Sequence, residues 1–134
     1  MTVKKLTRWL MGLIIILGIA AGCSSQNNEV NVTQADNDTQ IELAQDQTLV
    51  LTLDSNVTTG YEWDIVEFDD QIIQPVGASE YLAPDTDAVG AGGQEIYKFE
   101  CAGTGQSPLE LIYHQPFDET TAPAETFTLT VTCR

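Results

Sequence analysis

Apolar and polar residues alternate along most of the chain from residue 41 onward. The apolar members fall into five runs: Ile41 and Leu43; Leu49, Leu51 and Leu53; Tyr97, Phe99 and Cys101; Leu109, Leu111 and Tyr113; and Phe127, Leu129, Val131 and Cys133. A period of two residues is typical of strands with one buried face. The pattern therefore predicts a series of half-buried β-strands.

Turn-forming segments separate these runs, at Ala44–Gln47, Asp54–Asn56, Ala91–Gly93, Ala102–Gly105 and Thr121–Pro123. Short strands at regular spacing indicate a sandwich or a barrel, and 134 residues leave room for one domain with one core. We therefore expect an all-β fold over residues 41–134. Its expected form is an immunoglobulin-like antiparallel β-sandwich or barrel of about seven to eight strands.

The first 22 residues have a different character. Lys4, Lys5 and Arg8 precede an apolar run from Trp9 to Ala21, which is the arrangement of a signal peptide. The alternative is an uncleaved N-terminal helix, but the apolar run is shorter than the ~20 residues that a membrane span needs. We therefore expect residues 1–22 to be a signal peptide that is removed on export.

Small residues stand directly before the first cysteine, in the order Ala20-Ala21-Gly22-Cys23. This segment resembles the lipobox of prokaryotic lipoproteins, which implies that Cys23 is lipidated and begins the mature chain. Two or more acyl chains hold a protein durably on a bilayer. The expected location is the cell envelope, with the chain lipid-anchored on the extracytoplasmic face of a membrane.

Residues 23–40 are rich in Ser, Gln, Asn, Asp and Thr. Such a composition buries little surface, so it predicts a polar tether between the lipid and the domain. The end of this segment could also pair as a first strand through Val30 and Val32.

Charge is distributed unevenly along the chain. All 20 acidic residues follow Cys23, where Lys98 and Arg134 are the only Lys or Arg residues, so that part carries a net charge of −18. A field of this sign repels phosphate, which excludes binding of nucleic acid or of anionic lipid head groups through a charged patch.

Cys101 and Cys133 form an even pair in a chain that is expected to be exported, which favours a disulfide. The alternation places both on core-facing positions, beside Phe99 and Val131. Two buried free thiols are the alternative. The only histidine is His114 and the chain has no Cys-x-x-Cys, so we expect no metal site and no cofactor.

Three segments expected in loops carry a family resemblance. They are Asn56-Val57-Thr58-Thr59-Gly60-Tyr61-Glu62-Trp63, Gly90-Ala91-Gly92-Gly93 and Gln115-Pro116-Phe117. They resemble, in the same order, the Asn-Pro-Thr-Thr-Gly-Tyr-x-Trp, Gly-x-Gly-Gly and Arg-Pro-Trp or Arg-Pro-Phe loops of chagasin-type inhibitors of papain-like cysteine peptidases. One such string alone would be weak evidence for the family, because glycine-rich and proline-containing strings are common in turns.

The resemblance implies a proteinaceous, reversible inhibitor whose three loops enter the active-site cleft of a papain-like cysteine peptidase. Thr58, Thr59 and Gly60 would lie over the catalytic thiolate. The segment Gly90–Gly93 would lie along one wall of the cleft, and Phe117 would be an aromatic anchor on the other. The implied partner is the peptidase, and we expect the chain to be a monomer and not an enzyme.

Two positions depart from the family pattern. Val57 stands where the family has proline, which removes a residue that fixes the loop backbone. Gln115 stands where the family has a basic residue, which removes a charge-assisted contact.

Other interpretations remain at this point. The segment Thr58–Gly60 could be a plain turn, with Tyr61 and Trp63 serving as core aromatics. The whole domain could be a cell-surface immunoglobulin-like binding or scaffold module, because sandwich folds serve unrelated functions. His114 could be catalytic, with Asp118 and Glu119 near it in sequence, but no nucleophile accompanies it.

Overall fold

The alternating segments form strands in the computed structural model, which describes residues 28–134. Within this range there are nine strands: β1 Glu29–Thr33, β2 Thr39–Leu43, β3 Thr48–Ser55, β4 Glu62–Phe68, β5 Ile73–Pro75, β6 Glu80–Leu82, β7 Gly93–Cys101, β8 Gly105–His114 and β9 Glu125–Cys133. The expected all-β sandwich is confirmed. The signal peptide over residues 1–22 and lipidation at Cys23 lie outside the described residues.

The strands form two sheets. One has the order β1-β3-β7-β5, with β6 also paired to β7, and the other has the order β2-β9-β8-β4. Most neighbours are antiparallel, but β1 is parallel to β3 and β2 is parallel to β9. These two parallel pairs lie at the edges of the otherwise antiparallel sheets, because the chain changes sheet after β1 and again after β2.

The polar tether expected over residues 23–40 is wrong from Glu29 onward. Val32 is buried, Val30 packs against the core, and β1 pairs with β3. The alternative expectation, a first strand through Val30 and Val32, is therefore confirmed. A 3₁₀ turn at Gln34–Asp36 then leads to β2, which begins at Thr39. The backbone of this polar segment is satisfied by ladder hydrogen bonds, which its composition does not reveal.

The core lies between the sheets and is built from the alternating residues. Its buried members are Val32, Leu43, Leu49, Leu51, Leu53, Trp63, Ile73, Tyr97, Phe99, Leu109, Leu111, Phe127, Leu129, Val131 and Cys133. Each of the five runs read from the sequence contributes at least one residue, because a strand in a sandwich turns one face inward.

A disulfide joins the two sheets. Cys101 at the end of β7 and Cys133 at the end of β9 are bonded, with their Cα atoms 5.8 Å apart. The expected disulfide is confirmed, and the alternative of two free thiols is wrong.

The domain has two ends that matter for function. Strands β3 and β8 run toward one end, and β4, β7 and β9 run back from it. We call this end the loop pole; it holds the connections 56–61, 83–92 and 115–124. The opposite end, here called the base, holds the connections 44–47, 69–72 and 102–104. In the described part of the chain no helix is long and apolar enough to cross a membrane.

Candidate functional site

The central loop of the loop pole is held by its own hydrogen bonds. The Asn56 side-chain oxygen accepts from the Thr58 amide at 3.2 Å and from the Thr58 hydroxyl at 2.6 Å. The Thr59 hydroxyl donates to the Asn56 carbonyl at 2.6 Å. These bonds form a 3₁₀ turn over Val57–Thr59. The turn is therefore defined by asparagine capping although valine stands in place of proline.

Gly60 ends this turn in the left-handed region, with φ of +76°. Residues with a Cβ atom rarely adopt such a backbone, so glycine permits the reversal of the chain here. The residues at the tip are exposed to solvent, namely Val57, Thr58, Thr59 and Gly60. The backbone at the tip is therefore open to close approach by a partner.

Aromatic side chains support the loop from below. The Trp63 indole is buried and donates to the Asp54 carbonyl at 2.9 Å. The Tyr113 ring lies between Tyr61 and Trp63, with centroid distances of 5.3 Å and 5.1 Å, and its hydroxyl accepts from the Asn56 amide at 2.9 Å. Trp63 is thus a core aromatic, as the plain-turn interpretation held for this residue.

A second buried tyrosine fixes the start of β4. The Tyr97 hydroxyl lies 2.7 Å from the Trp63 carbonyl oxygen and 3.0 Å from the Glu95 carboxylate. Burial, with the negative charge of Glu95 beside it, raises the pKa of Tyr97, so the hydroxyl stays protonated and can donate.

The glycine-rich segment lies against one side of the central loop. The Asn56 side-chain amide donates to the Gly90 carbonyl at 2.9 Å. A Cβ atom at Gly92 would be 3.5 Å from the Ser55 carbonyl oxygen. At Gly93 a Cβ atom would overlap the Leu82 carbonyl oxygen, so only glycine allows β6 to pass so near the start of β7.

The third segment lies against the central loop as well. The Gln115 side-chain amide donates to the Thr59 carbonyl at 3.3 Å. The Phe117 ring approaches to 3.2 Å from where a Cβ atom of Gly60 would stand, yet its side chain is 75% exposed. Pro116 precedes it and is also exposed. Gln115, although it lacks the family's charge, thus connects two loops.

The structure therefore brings together all three segments found in the sequence, with residues 56–61 contacting both 90–93 and 115–117. Sequence reasoning missed two apolar neighbours of this surface. Leu82 is 56% exposed, and Val89 is fully exposed directly before Gly90. The signal available in the sequence was an apolar residue inside a polar turn segment, where no core position would explain it.

His114 is not paired with the acids near it in sequence. Its Nε2 atom lies 2.7 Å from a carboxylate oxygen of Asp64, on the neighbouring strand β4. No group of three His, Cys, Asp or Glu residues within 28–134 is placed to hold a metal ion. The pair has the arrangement of a cross-strand contact.

The loop that carries Phe117 is ordered by Asp118. Hydrogen bonds from the side chains of Thr121 and Thr120 and from the Thr120 amide lower the pKa of Asp118 to about 2. A lowered pKa means that this stabilisation is complete above the usual carboxyl value and is lost as the pH falls through about 2.

Following the Thr120 amide resonance during an acid titration should give a midpoint near that value. A midpoint near 4, the usual range of an aspartate, would contradict the assignment.

Comparison with known proteins agrees with the resemblance that the three loop segments carry. The model of the chagasin family of peptidase inhibitors, family I42, matches residues 42–131. Chagasin of Trypanosoma cruzi is 28% identical over an alignment of 102 residues, and the match covers 73% of this chain and 92% of chagasin.

Solved structures share the fold. A cysteine protease inhibitor of Entamoeba histolytica has a TM-score of 0.70 at 18% identity, covering 79% of this chain and 96% of that protein. The protein PbICP-C, solved in complex with falcipain-2, has a TM-score of 0.53 at 16% identity, covering 81% of this chain and 92% of its own.

Proposed function

Because the chain belongs to the chagasin family of peptidase inhibitors, we propose that it inhibits papain-like cysteine peptidases by placing the loop pole in the active-site cleft. The observation that carries this proposal is the direct contact of the central loop with both flanking loops at one end of the sandwich. The protein acts as an inhibitor and not as an enzyme.

The target cleft contains a cysteine thiolate beside a histidinium. Thr58, Thr59 and Gly60 are exposed at the tip of the central loop and would lie over this thiolate. Gly60 leaves room for the thiolate to approach the backbone, and the threonine hydroxyls offer hydrogen bonds to the cleft.

The central loop would fill the cleft without being cleaved. The Asn56 carbonyl accepts from the amide and hydroxyl of Thr59, the Val57 carbonyl accepts from the Gly60 amide, and the Thr59 carbonyl accepts from Gln115. Attack on a peptide bond requires a carbonyl aligned with the nucleophile. Carbonyls held in a closed turn by internal donors resist that alignment.

The flanking loops would contact the two walls of the cleft. Phe117 on one side and Val89 on the other are exposed apolar side chains separated by the central loop. Apolar and aromatic anchors supply much of the binding energy of protein interfaces. A three-loop surface of this kind would bury on the order of 1,600 Å² in total.

Replacing Phe117 by alanine should raise the inhibition constant by about 30-fold, equivalent to about 2 kcal/mol. The melting temperature should stay unchanged, because the side chain is 75% exposed. Val66→Ala is the matched control, since Val66 is an exposed apolar residue on β4, outside the three loops. Equal inhibition constants for the two variants would remove Phe117 from the interface.

The test of the proposed function is steady-state inhibition of papain and a panel of related peptidases by the chain from Cys23 to Arg134. We expect reversible inhibition that competes with substrate. A folded chain that inhibits none of them at micromolar concentration would favour the scaffold interpretation.

We also propose that the chain is held in the cell envelope by lipid on Cys23, on the extracytoplasmic face of a membrane. The support is the signal-peptide pattern and the lipobox-like segment that ends at this cysteine. Two acyl chains would suffice for durable attachment.

Cys23→Ser should abolish this attachment. The wild-type chain should have a mature mass that includes acyl groups, and the variant should be uncleaved or released without them. Intact-mass spectrometry of both proteins from the same host decides the matter. Masses that differ only by the oxygen-for-sulfur exchange would exclude lipid on Cys23.

A further inference from the structure

We propose that the membrane-held chain directs its loop pole away from its own membrane. It would therefore inhibit peptidases that reach it from the aqueous side, and not peptidases held on the same membrane with clefts that open away from it. This inference rests on the proposed inhibition and on the proposed lipid at Cys23. Its structural basis is the position at which the chain enters the sandwich.

The chain enters at the base. Glu29 is paired with Thr48, the first residue of β3, and the Thr48 amide donates to the Asn28 carbonyl at 2.7 Å. Strand β3 then runs to Ser55, which adjoins the central loop. The point of entry and the inhibitory surface are thus separated by the full length of β3.

The length of chain before this point limits how far the domain can turn, whatever the conformation of that chain. Glu29 follows Cys23 by six residues, and six residues reach at most about 20 Å when fully extended. Strand β8, which runs from base to loop pole, has ten residues and spans about 30 Å. Bringing the loop pole to the membrane would lift the base by more than the connection can reach, so inversion is excluded.

The negative charge of the base favours the same orientation, with the loop pole away from the membrane. The base carries Asp46, Asp69 and Asp70, and Arg134 beside it is paired with Glu42. Anionic head groups repel a surface of this sign within about a Debye length, ~8 Å at physiological salt. The domain should therefore stand off the membrane within the reach of its connection, with the three loops free.

The test uses the full acylated chain reconstituted in phosphatidylcholine vesicles. Asp46→Cys places a thiol at the base, and Glu119→Cys places one at the loop pole; both replace an exposed acid. Cys101 and Cys133 are bonded to each other and Cys23 would be acylated, so each variant offers one thiol for a dye. Energy transfer to acceptor lipids in the outer leaflet reports the height of that position.

Transfer should be at least about twofold stronger from position 46 than from position 119, given the length of the strands between them. Equal transfer, or stronger transfer from position 119, would overturn the proposal. An acylated chain that fails to stay on the vesicles would also overturn the proposal.

Inhibition of soluble papain is measured on phosphatidylcholine vesicles that carry the unlabelled wild-type chain, and is compared with inhibition by the released Cys23→Ser chain in solution. The two inhibition constants should agree within about threefold, because approach from the aqueous side is unobstructed. A loss of tenfold or more on vesicles only would contradict the orientation. If neither form inhibits, the proposed function fails, while the energy transfer still decides the orientation.

Discussion

Replacing Gly60 by glutamate should raise the inhibition constant against papain by on the order of 100-fold or more. Gly60 is exposed at the tip of the central loop, where the backbone would face the catalytic thiolate. A carboxylate there would be buried in the complex next to another negative charge, with no partner to compensate for lost hydration. This penalty amounts to several kcal/mol.

The same substitution at Gly77 separates charge from backbone strain. Gly77 also has a positive φ, +72° against +76° for Gly60, and nothing lies within 4 Å of an added Cβ atom. It lies between β5 and β6, outside the three loops. Gly77→Glu should lower the melting temperature by the contribution of backbone strain alone and leave inhibition unchanged, whereas at Gly60 the added Cβ atom would also stand 3.2 Å from the Phe117 ring. If both variants weaken inhibition equally, the thiolate is not opposite Gly60.

Removing the disulfide should lower the free energy of unfolding by about 3–4 kcal/mol. The bond closes a loop between residues separated by 32 positions, and opening it restores conformational freedom to the unfolded chain. The double variant Cys101→Ala with Cys133→Ala, unfolded in urea, measures the difference. Wild-type protein unfolded in the presence of a reductant is the control.

The inhibition constant of the folded double variant should equal that of the wild type. Both cysteines end their strands at the base, whereas the three loops lie at the opposite end. A variant that remains folded but no longer inhibits would show that the base and the loop pole are coupled. A loss of stability below about 1 kcal/mol would contradict the chain-entropy argument.

The long strands were predictable because each has one face in the core. Leu49, Leu51 and Leu53 are all buried on β3, and the intervening residues are not. Strands β5 and β6 were not predictable. Each has only three residues, and all three residues of β6 are exposed, so hydrogen bonding to β7 leaves no alternation in the sequence.

The beginning of the domain illustrates the limit of composition. Residues 29–40 are mostly polar, yet β1 needs only one fully buried side chain, Val32, to pack at the edge of its sheet. Backbone pairing with β3 supplies the rest of the stabilisation of β1. A polar edge strand and a polar tether have the same composition, and only the tertiary context distinguishes them.

The candidate site was predictable as a set of segments but not as a set of contacts. The motifs identified the loops, whereas the bonds from Asn56 to Gly90 and from Gln115 to Thr59 join residues that are 34 and 56 positions apart. Such contacts depend on strand register. The same is true of His114, whose partner Asp64 lies 50 positions away.

The most direct measurement of the central claim is the rate at which iodoacetamide alkylates the active-site cysteine of papain in the presence of this protein. The three loops are proposed to cover that thiolate, so the rate should fall in proportion to the fraction of papain in complex. The inhibitor should be recovered uncleaved. Alkylation at the rate of free papain, under conditions where the complex is shown to form, would contradict the placement of the loops over the thiolate.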